Sequence, residues 1–474
     1  MIWSREIMSI TVDTTQLSEA LSQLEGARAW PAGLIEQLGE LIREGTDEAV
    51  FQINPVSYAT TRGHTPELGI ELFLHAARAG LMQIDWSLRC CGCGELVANR
   101  GGLAQLDRDF YCDSCARSSA ANLDENVEIA FTVVPSIRAL RFHAPDSLSH
   151  EDYFFRFRFS RDIVIRGLDK TLTSFLREQV LVLTWLEPNS EQVFELDIPE
   201  EGWVVGHPRT MITTFGAPTT EVRELTLDYR DRAFEPRPEL APGPVRLTLR
   251  NSTQARVRVL KYFTPIVTYF DYLPHLNGRR LLNNPEFRRC LGTEVVRPGT
   301  GIPVKDCTLL FTDLRGSTAM YDLIGDNAAF ELVTESFESM AQIVTRCGGV
   351  VVKTMGDAIM ASFNHPADGV RAGLQIILND HGELQPKVGL HRGSCIVVNQ
   401  NDMVDYFGQT VNIAARVQNE AAGNELCLTE AIWEDVREDQ AVAASLTEFG
   451  ELHRELRALK GVTEAVPLYR VRVR

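Results

Sequence analysis

Val350–Phe363, with the sequence VVVKTMGDAIMASF, predicts two short strands joined by a tight turn. Its apolar halves, Val350–Thr354 and Ala358–Phe363, have strand length, and the Gly356–Asp357 dipeptide between them is typical of a turn. Upstream, Cys307–Thr312 predicts another apolar strand. A helix with an apolar face separates that strand from the hairpin, and a further helix and strand follow. This order of elements predicts an α+β domain of ferredoxin-like order.

The middle of the chain has a β pattern, from Val127 to about Phe263. In Phe155–Phe159 the aromatic residues alternate with arginines, which predicts a half-buried strand. Alternation also marks Val245–Leu249 and Val257–Val259, and the turn residues Asn251–Gln254 between them predict a hairpin. Several short strands separated by turns predict an antiparallel β-sandwich-like domain.

The whole chain is therefore predicted to be an α+β multidomain protein. Leucines at helical spacing indicate helices before residue 88, and Gly and Pro residues between 292 and 303 mark a boundary. The predicted segments are a helical N-terminal region at 1–88, a zinc ribbon at 89–118, a β-rich domain at 119–263, a connector at 264–304 and the α+β domain at 305–474.

Charge and hydropathy exclude several classes of partner. The 474 residues include 47 Lys and Arg against 64 Asp and Glu, a net charge of −17. This acidic excess argues against a broad nucleic-acid or anionic membrane surface, so no nucleic acid is expected as a partner. No apolar run approaches the roughly 18 residues that span a bilayer, and the N-terminus lacks a signal-peptide pattern. We expect no membrane span and a cytoplasmic location.

Four cysteines have the spacing of a metal site. Cys90-x-x-Cys93 and Cys112-x-x-Cys115 each allow two thiolates to meet one metal from a tight turn. Together they would complete a tetrahedral site for structural Zn²⁺, with no position left for a catalytic water. Free thiols or disulfides are the alternatives, and Cys91 could replace a neighbour as a ligand.

Two acidic residues lie at the ends of predicted strands in the C-terminal domain. Asp313 follows the apolar strand, and Asp357 lies at the tip of the hairpin. Carboxylates on adjacent strand ends suit Mg²⁺ or Mn²⁺, which prefer oxygen ligands. Gly316, Ser317 and Thr318 open a turn into a helix, where free backbone N–H groups suit a phosphate. No GxxxxGK[ST] motif occurs, so a P-loop is excluded.

Further polar residues that suit a phosphate ligand lie later in the same domain. Asn412 and Arg416 are four apart on a predicted helix and share a face, and Arg416 offers a fork of donors to a phosphoryl group. Singly, each residue has an ordinary explanation: an aspartate in a turn, an Asn/Arg pair on a solvated face, and Lys353 on the surface. Their joint order along the chain favours a functional site.

The segment from about Lys305 to Arg470 resembles the catalytic domain of class III nucleotidyl cyclases, the adenylyl and guanylyl cyclases. Three motifs match in order and spacing: FTDLRGST at 311–318, KTMGDAIMASF at 353–363 and FGQTVNIAARV at 407–417. The region before it is similar, more loosely, to an uncharacterised region that precedes some bacterial cyclase domains. That similarity rests on the cysteines, FQINP at 51–55 and LHAARAGL at 74–81, and implies no activity.

The resemblance implies a role for each matching residue. Asp313 and Asp357, with the Leu314 carbonyl, would bind two Mg²⁺ or Mn²⁺ ions per site. Lys353 and Asp405 would read the purine in the adenylyl pattern, since guanylyl cyclases typically carry Glu and Cys there. The remaining matches are the transition-state pair Asn412 and Arg416 and the triphosphate-binding lysine, Lys460.

The activity implied is conversion of ATP to 3′,5′-cyclic AMP and pyrophosphate at a site shared by two cyclase domains. One subunit would supply the two aspartates, and the other would supply Lys353, Asp405, Asn412 and Arg416. One cyclase domain per chain then implies a head-to-tail homodimer. We expect the preceding region to regulate the placement of the two domains, through an unidentified ligand or protein. A guanylyl cyclase and a catalytically weak nucleotide-sensing regulator are the alternatives.

Overall fold

The computed structural model describes residues 11–115, 117–200, 202–208, 210–213, 223–236, 239–264, 270–292, 296–316, 322–382 and 384–473. They form two compact units. The first takes in residues up to Gly101, Asp109–Ala121 and Asn126–Leu276, and the second takes in Gly102–Arg108, Asn122–Glu125 and Asn277–Arg474. Most of the predicted connector therefore belongs to the second unit. Over the described residues, every helix is too short or too polar to cross a membrane.

Helices of the first unit are capped by their own sequence. Asp13 Oδ1 accepts hydrogen bonds from the Thr15 and Gln16 N–H groups, and Thr65 caps the helix that Pro66 opens. The α-helices described in this unit are α1 (Thr14–Glu25), α2 (Leu34–Glu44), α3 (Pro55–Thr60), α4 (Pro66–Arg78), α5 (His150–Phe157) and α6 (Leu172–Gln179).

The first strand begins at Met82, inside the segment predicted to be helical, and the strands up to Asn277 pair into several sheets. They are β1 (Met82–Arg89), β2 (Leu96–Arg100), β3 (Asp109–Cys112), β4 (Arg117–Ala120), β5 (Val127–Val133), β6 (Ile163–Ile165), β7 (Val180–Leu186), β8 (Ser190–Ile198), β9 (Trp203–His207), β10 (Thr210–Thr213), β11 (Glu224–Arg230), β12 (Ala233–Glu235), β13 (Gly243–Asn251), β14 (Val257–Thr264), β15 (Phe270–Tyr272) and β16 (Leu276–Asn277). β1 is central to one sheet, with β5 on one side and β2 on the other.

Two four-stranded sheets, β10-β9-β14-β7 and β12-β11-β13-β8, share one buried core. The core contains side chains of both, such as Val259 of β14 and Leu247 of β13. The expectation of purely antiparallel pairing is wrong, because β11 and β13 are parallel, with Leu227 opposite Leu249. The chain reverses through β12 and then returns, so β13 enters the sheet in the direction of β11.

The hairpin predicted across Asn251–Gln254 is also wrong. The turn is present, but β13 and β14 lie in different sheets, so the chain makes a corner of the sandwich. Asn251 is fully buried and its Nδ2 donates to the carbonyl oxygens of Glu187 and Ala255, both at 2.9 Å. This side chain therefore satisfies carbonyl groups at the corner, one after β7 and one before β14.

Phe155–Phe159 does not form the predicted strand, because His150–Phe157 is helix α5. Ser149 Oγ accepts from the Asp152 N–H at 3.1 Å and caps the helix. Phe154 and Phe155 are buried, so neighbouring aromatic residues rather than alternate ones face the core. A short alternating run is outweighed here by the cap and by helical packing.

The second unit is built on an eight-stranded sheet of order β18-β19-β17-β20-β22-β24-β23, with β21 paired to β20. Its strands are β17 (Gly301–Arg315), β18 (Val350–Met355), β19 (Ala358–Phe363), β20 (Gln385–Gln400), β21 (Met403–Phe407), β22 (Glu425–Thr429), β23 (Gly450–Arg457) and β24 (Val466–Val473). Its helices are α7 (Gly278–Leu282), α8 (Pro285–Leu291), α9 (Asp326–Arg346), α10 (Pro366–Leu378), α11 (Gln409–Glu420), α12 (Glu430–Val436) and α13 (Gln440–Phe449). The order β17-α9-β18-β19-α10-β20 agrees with the prediction, and the mixed α/β class is confirmed.

Two glycines allow α11 to lie directly on β20. A Cβ at Gly393 would be 2.7 Å from Thr410 Oγ1, and one at Gly389 would collide with the backbone of Gln418. The helix therefore approaches the strand more closely than any side chain would permit. This contact sets the position of the helix that carries Asn412 and Arg416.

Candidate active site

The two aspartates predicted to bind metal lie toward the same end of neighbouring strands. β17 and β19 are antiparallel, with Phe311 opposite Met360; Asp313 follows two residues later, and Asp357 lies in the turn before β19. The Ile359 N–H donates to Thr312 Oγ1 at 3.1 Å and holds that turn against β17. A pair of carboxylates at one end of a sheet fits the oxygen preference of a hard divalent cation.

The environment of these aspartates is partly electropositive. Asp313 forms an ion pair with Lys387, which lies opposite it on β20. Leu314 has a buried side chain and lies opposite Pro386. Gly316 follows the strand with φ of 96°, a conformation that favours glycine. Ser317 and Thr318 are outside the described residues.

Lys353 of β18 and Asp405 of β21 form a preassembled ion pair. Lys353 Nζ lies 2.6 Å from Asp405 Oδ2, and the side chains are 32% and 7% exposed respectively. Asp405 Oδ1 accepts from the Tyr406 N–H at 2.8 Å. The pair leaves further ammonium N–H donors and carboxylate lone pairs for a ligand. The structure thus brings together the two residues predicted to read the purine.

Asn283, a residue that the sequence analysis did not single out, supports the strand that carries Asp405. It is fully buried, and its Oδ1 accepts from Tyr406 Oη at 2.5 Å and from Ser362 Oγ at 2.8 Å. Arg288 Nη1 donates to the Val404 carbonyl oxygen at 3.1 Å. Contacts from α7 and α8 therefore hold both sequence neighbours of Asp405. The only sequence signal is the Asn-Asn-Pro turn, which resembles an ordinary helix cap.

Replacing Tyr406 with phenylalanine is expected to lower the free energy of unfolding by about 1–2 kcal/mol, because Asn283 Oδ1 loses a buried partner. Burial raises the pKa of Tyr406, so its hydroxyl keeps the proton that it donates. Urea denaturation followed by circular dichroism measures the loss.

Tyr272→Phe is the matched control for this change. The Tyr272 hydroxyl is buried but has no hydrogen-bond partner among the described residues, so its removal should cost nothing. Equal destabilisation by the two substitutions would contradict a specific contribution from the Tyr406 hydroxyl.

Asn412 and Arg416 share one face of α11, with Asn412 exposed and Arg416 half-buried. Gly461 lies beside the Arg416 guanidinium: a Cβ there would be 3.3 Å from Arg416 Nη2. Lys460, the residue before it, is exposed. The backbone segment that carries Lys460 is thereby placed beside Arg416, which lies 44 positions earlier in the chain. Such an arrangement can bind a polyanion.

The four predicted zinc ligands form one cluster in the first unit. Their Sγ atoms all lie within 4.8 Å of one another. Cys90 and Cys115 are 3.7 Å apart, and Cys93 and Cys112 are 3.5 Å apart, too far for disulfides. Zn–S bonds of about 2.3 Å in a tetrahedron require sulfur separations of about 3.8 Å, so the cluster fits Zn²⁺.

Cys91 is not in this cluster. It is exposed, and its Sγ accepts from Asn126 Nδ2 at 3.1 Å. Beside the cluster, Cys112 Sγ lies 3.4 Å from Glu95 Oε2, and Glu95 forms an ion pair with Arg158. The Glu95–Arg158 pair thus links the cysteines to α5, for which Arg158 is the C-terminal cap.

Two family models match the chain. Residues 14–289 match a family described as a family of unknown function (DUF5939), and residues 302–453 match the adenylate and guanylate cyclase catalytic domain. The second match contains Asp313, Lys353, Asp357, Asp405, Asn412 and Arg416. Lys460 lies beyond it.

Curated relatives match parts of the chain. An uncharacterised protein of Mycobacterium tuberculosis (strain H37Rv) is 34% identical over 125 residues, covering 25% of this chain and 32% of the relative. An adenylate cyclase of Anabaena cylindrica is 24% identical over 188 residues, covering 35% of this chain and 36% of the relative. The chain thus spans about a third of the length of these two relatives. A solved Trypanosoma brucei adenylate cyclase, in its monomeric state, is 22% identical with a TM-score of 0.32, covering 35% of this chain and 89% of that one.

The first family match covers most of the first unit and also includes Gly102–Arg108, Asn122–Glu125 and residues 277–289 of the second unit. More than half of the chain lies within the first match, and the catalytic-domain match begins one residue into β17. The chain belongs to the DUF5939 family of unknown function, and its C-terminal region is a class III nucleotidyl cyclase domain.

Proposed function

We propose that the protein is an adenylyl cyclase that converts ATP to 3′,5′-cyclic AMP and pyrophosphate. The observation that carries this proposal is the contact of 2.6 Å between Lys353 Nζ and Asp405 Oδ2. Adenine presents an acceptor at N1 and an amino donor at the 6-position. With Lys353 facing N1 and Asp405 facing the amino group, both polar groups of this edge of adenine are paired.

Guanine is disfavoured in the same orientation. Its O6 would face the Asp405 carboxylate, and its N1–H would face the Lys353 ammonium, so acceptor would meet acceptor and donor would meet donor. Because the Asp405 side chain is only 7% exposed, water cannot readily repair these mismatches. Sites that pair a buried polar group with the substrate reject the unpaired analogue strongly.

Product identification tests the proposal directly. The purified full chain is incubated with ATP or GTP and Mn²⁺ or Mg²⁺, and the products are separated by chromatography and identified by mass spectrometry. We expect cyclic AMP, with kcat/KM for ATP well above that for GTP. Faster formation of cyclic GMP would favour the guanylyl alternative, and absence of both products would favour a nucleotide-sensing regulator.

Lys353→Ala is expected to lower kcat/KM for ATP about 10- to 100-fold, the usual effect of removing a charged hydrogen bond. Discrimination between ATP and GTP should fall with it. Steady-state kinetics with each nucleotide measures both quantities. Lys170→Ala, which removes an exposed ion pair with Glu178 in the first unit, is the control and should leave both values unchanged. An unchanged ATP/GTP ratio in the Lys353 variant would contradict purine recognition by this pair.

Asp313, the Leu314 carbonyl and Asp357 are proposed to hold two Mg²⁺ or Mn²⁺ ions. Bound there, such ions lower the pKa of the ribose 3′-hydroxyl and neutralise the leaving pyrophosphate. The two carboxylates would hold these ions, and Lys387 forms an ion pair with Asp313 that offsets its negative charge. Gly316, Ser317 and Thr318 would donate backbone N–H groups to the phosphates.

Arg416, Asn412 and Lys460 are proposed to act on the reacting phosphates and the ribose. The Arg416 fork stabilises charge that grows on the α-phosphoryl group, and Asn412 orients the ribose. Lys460 binds the triphosphate. Its position beside Gly461, which itself lies against the Arg416 guanidinium, supports a common task for the two cations.

A homodimer would assemble complete sites from these two sets. Lys353 and Asp357 are four positions apart, yet in a head-to-tail dimer they serve different sites, with the aspartates of one subunit facing the Lys353 and Arg416 set of the other. The region before the cyclase domain is proposed to regulate activity by shifting the two domains relative to each other. Structural Zn²⁺ at the cysteine cluster is proposed to hold part of that region together.

A further inference from the structure

A cavity of about 540 Å³ lies in the first unit, outside the cyclase domain. It is lined by the start of β1, by β2, by α5 and by Arg258 of β14. Its volume is within the range of sites that hold small molecules. No role proposed above uses it.

Arg258 is the unusual residue of this cavity. Its guanidinium carbon lies 3.3 Å from the Tyr153 ring centroid and 4.3 Å from that of Trp185. Its Nε is buried without a hydrogen-bond partner, and no carboxylate of the described residues forms an ion pair with it. The aromatic faces offset only part of the cost of burying a cation, so an anion would still be bound favourably.

The carboxylates Asp85 and Asp146 and the arginines Arg100 and Arg158 also line the cavity, but among the described residues neither of these two carboxylates forms an ion pair with Arg258. The charge of Arg158 is matched by Glu95. Burial, and then the positive charges of Arg258 and Arg256, lower the pKa of His150 to about 4. The imidazole is therefore neutral near pH 7 and adds no positive charge. The contribution of the two arginines to this shift is consistent with a positive electrostatic potential nearby. The site is therefore suited to one added negative charge.

The remaining lining is partly polar and partly apolar. Asp85 is buried, and its Oδ2 accepts from Thr132 Oγ1 at 2.5 Å, so that carboxylate already has a partner. Burial raises the pKa of Asp85 to about 6, so this carboxylate still carries most of its charge near neutral pH and favours an anion that contacts Arg258 instead of this end of the cavity. Phe157 and Leu96 provide apolar surface. A fitting ligand carries an acidic head and an apolar body.

We propose that this cavity binds a small organic anion, a carboxylate or phosphate, whose acidic oxygens contact Arg258 and whose apolar body lies on Tyr153 and Phe157. Guanidinium groups bind both classes of oxyanion through paired N–H donors. The ligand would contact β2, which begins three residues after Cys93, and would stabilise the first unit. This inference does not depend on the proposed cyclase activity.

Ligand-dependent thermal unfolding of the full chain tests the proposal, with phenyl phosphate, benzoate, inorganic phosphate and the neutral benzamide as probes. We expect phenyl phosphate or benzoate to raise Tm saturably, benzamide to have no effect, and inorganic phosphate to bind more weakly than phenyl phosphate. The stronger of the two aryl anions identifies the acidic head.

Arg258→Gln should lower the affinity for the aryl anion about tenfold or more, whereas Arg258→Lys should retain part of the affinity. Arg256→Gln is the matched control: Arg256 is exposed, pairs with Glu187 and does not line the cavity, so the Tm response should persist. An equal response in Arg258→Gln, or no response of the wild-type chain to any anion, would overturn the proposal. Quenching of Trp185 fluorescence in Arg258→Lys gives a second readout if the glutamine variant is unstable.

Discussion

Asp357→Ala is expected to reduce cyclic nucleotide formation about a thousandfold or more, because a lost metal ligand removes several kcal/mol of charge stabilisation from the transition state. Asp357 lies in the turn between β18 and β19 and is not part of the buried core, so the unfolding transition should stay in place. Product assays and thermal unfolding of the same preparation separate the two effects. Glu331→Ala, an exposed carboxylate on α9, is the control and should retain full activity.

Mixing two inactive variants tests whether sites are shared between subunits. In a head-to-tail dimer, an Asp357→Ala chain and an Arg416→Ala chain form one intact site per heterodimer. At equal concentrations with free exchange, about a quarter of wild-type activity should return. Activity that stays at the level of the separate variants, although subunit exchange is demonstrated, would count against the shared site. Recovery in a mixture of Asp357→Ala with Asp313→Ala would also count against it, because both lesions lie in one set.

Removing metal from the cysteine cluster is expected to unfold the part of the first unit around it. Structural zinc sites contribute about 10–16 kcal/mol of apparent binding free energy, which is comparable to the entire stability of a domain. The wild-type chain should contain one zinc per chain by elemental analysis, and Cys112→Ser should lose it, together with the cooperative thermal transition of that unit.

Cys91→Ser provides the matched control for this loss. It removes a thiol from the same turn, but one that contacts Asn126 instead of the other four cysteines, so zinc content and Tm should stay near wild type. Retention of zinc by Cys112→Ser, or an equal loss in Cys91→Ser, would contradict the assignment of ligands.

Motifs with a fixed local geometry could be predicted from the sequence. The VVVKTMGDAIMASF hairpin and the two CxxC turns, Cys90–Cys93 and Cys112–Cys115, each depend on turns and periodicities of fewer than about fifteen residues. Steric and capping preferences act over that distance, so the pattern alone determines the local result.

The packing of distant segments against each other could not be predicted from local motifs and periodicities. The alternation in Phe155–Phe159 predicted a strand, but the Ser149 cap and the burial of Phe154 and Phe155 favour a helix. Similarly, the turn after β13 is compatible with both a hairpin and a sandwich corner. Asn251 stabilises the corner by donating hydrogen bonds to the carbonyl oxygens of Glu187 and Ala255. The Ser149 cap is a local signal, but the burial of Phe154 and Phe155 and the contact of Asn251 with Glu187 depend on packing partners that the local sequence does not specify.

By itself, the sequence determined the class of the C-terminal domain and predicted the residues of its candidate site, most of which lie in contiguous motifs. Only the tertiary structure revealed that Lys353 Nζ lies 2.6 Å from Asp405 Oδ2, that Asn283 accepts a hydrogen bond from Tyr406, and that Arg258 Nε is buried without a hydrogen-bond partner. Such contacts join segments tens to more than a hundred residues apart. Their formation depends on which surfaces the folded chain removes from water, and that is decided by the fold as a whole.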